Sequence, residues 1–334
     1  MGRPLRVVAR VHGYPPDHNA GAEWMLHTML RALAARGHDV QVHLHRYGAG
    51  LPGRYEIDGV QVFPLQASYF PLAGQGADVL VGHLDGVPAL AAYGRAWDVP
   101  TVALVHNTHA PSFAGAAACD LAVYNAAWTA EAAADFYGAH RLVPPADLTV
   151  RPPVVAEDYA TTPAGDRVTL VNLCEAKGGP LLWELAERMP DVGFLAVQGS
   201  YGEQVVPAVV PDNVEVLPSV PGALMRDRVY ARTRVVLMPS SYESWGRVGV
   251  EAMASGIPVV AHPTPGLTES LGPAGVFVDR GDVDAWEAEI RRLLAPKAWA
   301  AASKKALNRS AELDPAADLA AWCDAVEALA DRKE

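Results

Sequence analysis

The sequence predicts an α/β protein made of two doubly wound domains with mainly parallel sheets. Short apolar runs of three to seven residues alternate with helical stretches along the whole chain, and that alternation is the mark of βαβ units. The rhythm breaks once, at Val143–Val154, where four prolines in twelve residues forbid a regular helix. It then restarts. A length of 334 residues suits two domains of roughly 150 residues each.

In the first half, strands are expected at Leu5–Val11, Val40–Leu44, Val60–Phe63, Val79–Gly82, Thr101–Val105 and Leu121–Tyr124, with helices near Gly21–Arg36, Pro88–Trp97 and Trp128–Tyr137. Gly37 follows the first helix, where a left-handed cap is needed before the next strand. In the second half the strands are Val168–Leu173, Phe194–Val197, Val214–Leu217, Val235–Met238, Val259–Ala261 and Val276–Val278. Helices fall near Pro180–Met189, Ala223–Arg232, Arg247–Ala254 and Val283–Leu294. The tail places Leu319, Trp322, Val326 and Leu329 on one helical face, a face that needs a surface to cover. The reading gives domains at 1–150 and 151–314, and a C-terminal helix over 315–334 packing back on the first domain. Sites are expected on loops after strands, toward a common cleft.

Half of the residues are hydrophobic and 19% are charged, which excludes wholesale disorder. No apolar run reaches the roughly 18–20 residues of a membrane helix, and Met1–Arg10 reads as a charged strand rather than a signal peptide. Cys119, Cys174 and Cys323 are scattered, which suggests small apolar side chains in a reducing cytoplasm. The net charge is −11, of which −9 falls in residues 156–334. That balance argues against nucleic acid and anionic membrane surfaces as partners.

The strongest constellation runs from Pro239 through Glu243, Ser244, Trp245, Gly246 and Arg247 to Glu251 and Pro258, directly after a strand. A helix starting near Gly246 would offer free N–H groups and partial positive charge to a phosphate. Glu243 and Glu251, eight positions apart, would flank it as acceptors for hydroxyl groups, which suits a nucleotide sugar. Lys177 is one of five lysines against 22 arginines. It follows a strand in a turn ending Gly178-Gly179-Pro180, and the glycines permit close backbone approach to a phosphate. Ten of the eleven histidines precede residue 141. His43 and His45 share a strand face without carboxylate or cysteine spacing beside them, so they read as structural. His12 and His106 each follow a strand, with His109 a second choice to His106. Asp282-Val-Asp284 reads as a helix cap, and no metal site is expected.

The Glu-x7-Glu stretch followed by Ala-Met-Ala-x-Gly-x-Pro-Val-Val resembles the retaining glycosyltransferases of family 4, which have the GT-B fold of two Rossmann-like domains facing a central cleft. Pro265-Gly266-Leu-Thr-Glu269, Val171-Asn-Leu-Cys-Glu-Ala-Lys177-Gly178, Gly199-Ser-Tyr-Gly202, Gly21-Ala22-Glu23 and Arg36-Gly37-His38-Asp39-Val40 continue the likeness over residues 5–280. The resemblance implies an N-terminal acceptor domain and a C-terminal donor domain. It implies that Glu251 takes the ribose hydroxyls and Glu243 the donor sugar. The amides of Ser244, Trp245 and Gly246 then hold sugar and phosphate, and Gly199 belongs to a turn beside them. Lys177 would neutralise the diphosphate, Gly21 would let the first domain's backbone reach it, and His106 would stand near the sugar. Glu23 reads either as a helix N-terminal charge or as a ligand. Asn172 stands where the family has a phosphate-clamping arginine. Arg247 would supply the missing cation or else pair with a nearby acid.

The resemblance therefore implies a retaining, metal-independent transferase without a cofactor, whose substrate is a nucleotide diphosphate sugar. With no convincing covalent nucleophile, front-face attack with the phosphate taking the acceptor proton is the expected course. A nucleotide-sugar epimerase and a non-catalytic sugar-nucleotide-binding subunit are the two rival readings. The acceptor, small molecule, lipid or saccharide, would be met by first-domain loops including Tyr14–His18 and Tyr69-Phe70.

Overall fold

A computed structural model gives the fold and describes residues 3–48 and 53–331. The chain ends at 1–2 and 332–334, which the sequence reading assigned to the first domain and the last helix, lie outside these. The chain divides into two compact units, Met1–Pro153 together with Pro315–Glu334, and Val154–Asp314.

The first unit runs β1 (Arg6–Val11), α1 (Gly21–Ala35), β2 (Asp39–Leu44), β3 (Tyr55–Ile57), β4 (Val60–Phe63), α2 (Phe70–Gln75), β5 (Val79–His83), α3 (Val87–Trp97), β6 (Thr101–Val105), α4 (Ala110–Ala116), β7 (Leu121–Tyr124), α5 (Ala127–His140) and β8 (Ala146–Thr149). Its sheet has the order β3-β4-β2-β1-β5-β6-β7-β8. All pairs are parallel except β3 with β4. The central strands β5 and β6 are buried along their whole length, as parallel strands covered on both faces must be. The second unit runs α6 (Ala156–Tyr159), β9 (Arg167–Val171), α7 (Gly179–Arg188), β10 (Phe194–Val197), β11 (Val214–Leu217), α8 (Met225–Arg228), β12 (Thr233–Met238), α9 (Arg247–Ala254), β13 (Val259–Ala261), α10 (Pro265–Leu271), β14 (Val276–Phe277), α11 (Val283–Leu294) and α12 (Pro296–Glu312). Its sheet is β11-β10-β9-β12-β13-β14, parallel throughout.

Each sheet has one gap where the strand order reverses direction. In the first unit it lies between β1 and β5, in the second between β9 and β12. The chain leaves neighbouring strands in opposite directions there, and the loops beyond the strand ends part to form a crevice.

The last helix, α13 (Ala316–Asp331), belongs to the first unit. Trp322, Val326 and Leu329 join the cluster that holds Leu26, Met29, Leu30 and Leu33 of α1, with Leu319 packed against it. Trp322 Nε1 donates to the Met29 carbonyl at 2.9 Å. Arg36 reaches Asp324 at 2.6 Å and Glu327 at 3.0 Å.

The structure departs from the sequence reading in several places. The helix expected over Ala223–Arg232 is a single α turn, α8, between two 3-10 turns, because Val229 leaves the helical region (φ −120°, ψ −66°). The hairpin β3–β4 was missed although Asp58-Gly59, both at positive φ, is a strong hairpin-turn signal. The proline-rich break contains β8, an edge strand whose four residues lie between the two proline pairs and include no proline themselves. The helix α12, with proline in its first turn, was also not anticipated. Among the described residues no helix is long and apolar enough to cross a membrane.

Replacing Trp322 by Ala should cost the first unit about 3–5 kcal/mol, whereas Arg36→Ala, which breaks exposed pairs, should cost less than about 1 kcal/mol. Denaturant unfolding followed by circular dichroism measures both.

Candidate functional site

In the second unit, the loops at the β9/β12 gap carry most of the predicted residues. Lys177 ends the short turn after β9, and its Nζ meets Glu243 Oε1 at 2.5 Å. Both side chains are largely buried, and Ser240 Oγ donates to the same Glu243 oxygen at 3.0 Å. Burial works against the ammonium charge of Lys177. The charge of Glu243 and the bonds to Glu243 and Tyr201 outweigh it, so the Lys177 pKa is raised. The glycines after Lys177 serve close packing of the turn: a Cβ at Gly178 would stand 2.3 Å from Pro239 Cγ, and one at Gly179 would stand 2.0 Å from the Leu173 carbonyl oxygen.

Gly246 sits at the N-cap of α9 with φ +90°, a conformation that favours glycine. The backbone of Glu243 and Ser244 lies against α10, where a Cβ on Gly266 would approach Ser244 C to 2.4 Å. Ser270 Oγ donates to the Trp245 carbonyl at 2.6 Å. The Trp245 ring is buried, and its Nε1 is without a hydrogen-bond partner among the described residues.

Glu251 is buried one turn into α9 and both of its oxygens are engaged. Arg247 Nε donates to Oε1 at 3.1 Å and Tyr230 OH to Oε2 at 2.7 Å. Arg247 Nη2 also donates to Tyr159 OH at 3.1 Å. Of the two roles open to Arg247, the structure holds it in the acid pair. Removing either partner would strand a buried charge.

Asn172 follows β9 at φ +71°. Gln204 binds around it: Gln204 Oε1 accepts from Leu173 N at 2.9 Å and Gly199 N at 2.7 Å, and Gln204 Nε2 donates to Asn172 Oδ1 at 2.9 Å. Gly199 has no side chain where a Cβ would lie 2.2 Å from Asn172 Cγ. The position thus holds a neutral amide pair that fixes two loops.

In the first unit, Gly21 is the first residue of α1 and Glu23 lies in its first turn. Glu23 is 1% exposed and accepts from His12 Nε2 at 3.1 Å. Burial pushes this carboxyl up, but the His12 bond and the nearby His83 and His18 hold it down at about 2. His83 ends β5, across the β1/β5 gap from His12, and their rings stack at 5.2 Å. His106, just after β6, shares a proton with it: His83 Nδ1 and His106 Nε2 are 3.1 Å apart. Burial lowers the His83 pKa far below the usual histidine range and that of His106 to about 4. Both imidazoles are therefore neutral near pH 7. His109 is the N-cap residue of α4.

Residues 184–296 match the family model for glycosyl transferases group 1. The match spans about a third of this chain. A D-inositol 3-phosphate glycosyltransferase of Segniliparus rotundus is 36% identical over 40% of this chain and 33% of its own length. The O-antigen chain mannosyltransferase B of Escherichia coli is 35% identical over 36% of this chain and 26% of its own. These alignments span about a third of the relatives. A D-inositol 3-phosphate glycosyltransferase of Xylanimonas cellulosilytica aligns over 94% of both chains at 29% identity. Among solved structures, sucrose-phosphate synthase from Thermosynechococcus elongatus superposes with a TM-score of 0.76 at 19% identity, covering 99% of this chain and 97% of the other. Anabaena Alr3699/HepE in complex with UDP-glucose gives 0.74 at 18% identity, covering 97% and 98%. The fold is GT-B.

The structure brings Lys177, Glu243 and Tyr201 into one cluster and Arg247, Glu251, Tyr230 and Tyr159 into another. Tyr159, Tyr201, Gln204 and Tyr230 were not singled out in the sequence, because their bonds to Arg247, Lys177, Asn172 and Glu251 span 21 to 88 positions. His83 was missed because it ends a strand otherwise read as core.

Protonating His106 is harder in the folded than in the unfolded chain. Stability of the first unit should therefore be full above about pH 6.5 and fall as pH drops toward 4, by about 2–3 kcal/mol between pH 6.5 and 4.5 from His106 alone. Glu23 adds its loss below about pH 4.5, outside that window. Unfolding curves at stepped pH should show this slope for the wild type and a flatter one for His106→Asn.

Proposed function

We propose that this chain transfers a sugar from a nucleotide diphosphate to an acceptor hydroxyl, and that the donor is held by the Val154–Asp314 unit. The observation that carries this reading is the Lys177–Glu243 pair at the β9/β12 gap, beside the N-terminus of α9. The donor's diphosphate replaces Glu243 as the partner of Lys177, and the released Glu243 carboxylate takes sugar hydroxyls. The amides of Ser244, Trp245 and Gly246 and the turn at Gly199 add neutral donors. Glu251 keeps acceptor capacity for ribose hydroxyls although each oxygen already takes one bond, since a carboxylate has about four lone-pair sites. Arg247 acts as a positioning residue that fixes Glu251. Lys177 is then the main side-chain cation for the diphosphate, and the helix end supplies the rest of the positive potential.

The transfer retains configuration and uses no metal at the diphosphate. The bond from the anomeric carbon to the phosphate oxygen breaks while the acceptor oxygen bonds on the same face. The acceptor proton passes to the departing phosphate. First-unit loops hold the acceptor, and neutral His106 and Gly21 are that unit's candidates for binding substrate. The UDP-glucose complex of the Anabaena neighbour makes uridine nucleotides the first donors to try. The names of the aligned relatives support a polyol phosphate or a saccharide as acceptor. The three free, buried cysteines suit a reducing cytoplasm.

The test is thermal stabilisation by a panel of nucleoside diphosphates and their sugars, with and without chelator. One nucleotide at about 100 times its dissociation constant should add roughly 2.7 kcal/mol of stability, chelator or not. Lys177→Ala should weaken it about 10- to 100-fold, the loss of a charge-assisted hydrogen bond. No shift with any nucleotide would contradict the donor site. Donor binding without transfer to any acceptor would move the chain to the non-catalytic reading.

A further inference from the structure

The group of His12, His18 and Glu23 is not used by the reading above as a unit, and its atoms converge. Glu23 Oε1 lies 3.1 Å from His12 Nε2 and 3.9 Å from His18 Nε2, and one ligand atom from each residue falls within 4.8 Å of the others. A tetrahedral ion with bonds of about 2.0–2.2 Å sets its ligand atoms about 3.3 Å apart, so small side-chain rotations close the set. We propose that His12, His18 and Glu23 form a binding site for one divalent transition-metal ion of the zinc class, which pins the loop between β1 and α1.

Three further features of the first unit support this. Glu23 is almost wholly buried, yet its Oε2 has no hydrogen-bond partner among the described residues. A bare buried carboxylate oxygen is costly unless an ion or donor meets it. His12 Nδ1 is likewise without a hydrogen bond, and Asp85 Oδ1 stands 3.7 Å from it. With its Nε2 turned to Glu23, His12 presents its unpartnered Nδ1 to the Asp85 carboxylate. A metal on Nε2 shifts the proton to Nδ1 and turns Asp85 into its acceptor, the usual outer carboxylate of a metal-bound histidine. The third feature is that His18 is built into place. Its ring stacks on Tyr47 at 4.8 Å, its backbone N–H donates to the Tyr14 carbonyl, and Gly13 has no Cβ where one would stand 2.7 Å from His18 Cβ.

Two imidazoles and one carboxylate favour zinc, and among probes cobalt, over magnesium or calcium, which prefer all-oxygen sets. His83 packs on His12 and lies outside the set of converging atoms.

The experiment titrates cobalt(II) alone, then zinc(II), into the full chain after removal of any affinity tag and stripping with chelator. It is read without nucleotide, so it stands apart from the donor site. The expected result is one saturable equivalent with visible cobalt bands, displaced by zinc. His18→Ala, at a partly exposed position, should abolish those bands, and Asp85→Asn should weaken binding roughly tenfold. Glu23→Gln should also abolish them if it folds; His18→Ala decides the matter if it does not. The exposed His140→Ala should bind as the wild type does. Cobalt that never saturates, or one equivalent that survives both His18→Ala and Asp85→Asn unchanged, overturns the proposal.

Discussion

Parallel pairing, which holds for every strand pair in these two sheets except β3 with β4, forces a crossover between successive strands. The crossovers go one way on one side of β1 and β9 and the other way on the other side. Loops on the two sides of that reversal cannot pack together, so each unit has one place where backbone amides and polar side chains meet without a covering helix. The polar groups that carry the functional reading gather there: His12 and His83 at the first gap, Asn172, Lys177 and Glu243 at the second. The hydrophobic core does not compete for these positions, because the strands spend their apolar residues below the gap.

Charge is handled differently at the two gaps. In the second unit the carboxylates are answered by cations and phenols: Glu243 by Lys177, Glu251 by Arg247 and Tyr230. The first pair is built from a lysine and a glutamate on separate loops and holds together without a bidentate fork. Lys is a point charge on a flexible stem and exchanges partners more readily than a forked arginine. The second is locked inside α9 by the i, i+4 spacing and by Tyr159. One pair suits exchange with a substrate, the other suits holding a carboxylate still. In the first unit Glu23 faces histidines instead, whose charge depends on protonation or on a bound ion.

The residues whose meaning is local were legible in the sequence. Glu243, Gly246, Arg247 and Glu251 fall within nine positions of one another, after a strand and into a helix, and that order fixes their placement. The turn that carries Lys177 was legible because Gly178-Gly179-Pro180 follows a strand. The choice left open for Arg247 needed structure, since an i, i+4 acid and a substrate phosphate compete for the same guanidinium. Gln204, 32 positions from Asn172, Tyr230 and Tyr159 act through folding alone and leave no spacing to read. The His12, His18 and Glu23 group has irregular intervals that match no metal motif, and it converges because the loop before α1 folds back through the Tyr14 and Tyr47 contacts. Element losses have similarly local causes: the strand β8 was hidden between two proline pairs, and the helix at 223–232 failed at one residue, Val229.

The account turns on Lys177 exchanging Glu243 for the donor diphosphate. Calorimetric titration of a nucleoside diphosphate into the wild type, Glu243→Gln, Lys177→Ala and the double variant measures that exchange directly. If the pair must open, Glu243→Gln binds the diphosphate more tightly than the wild type, and the gain vanishes once Lys177 is gone. A Glu243→Gln change that leaves affinity unaltered, or weakens it equally with and without Lys177, would contradict the exchange.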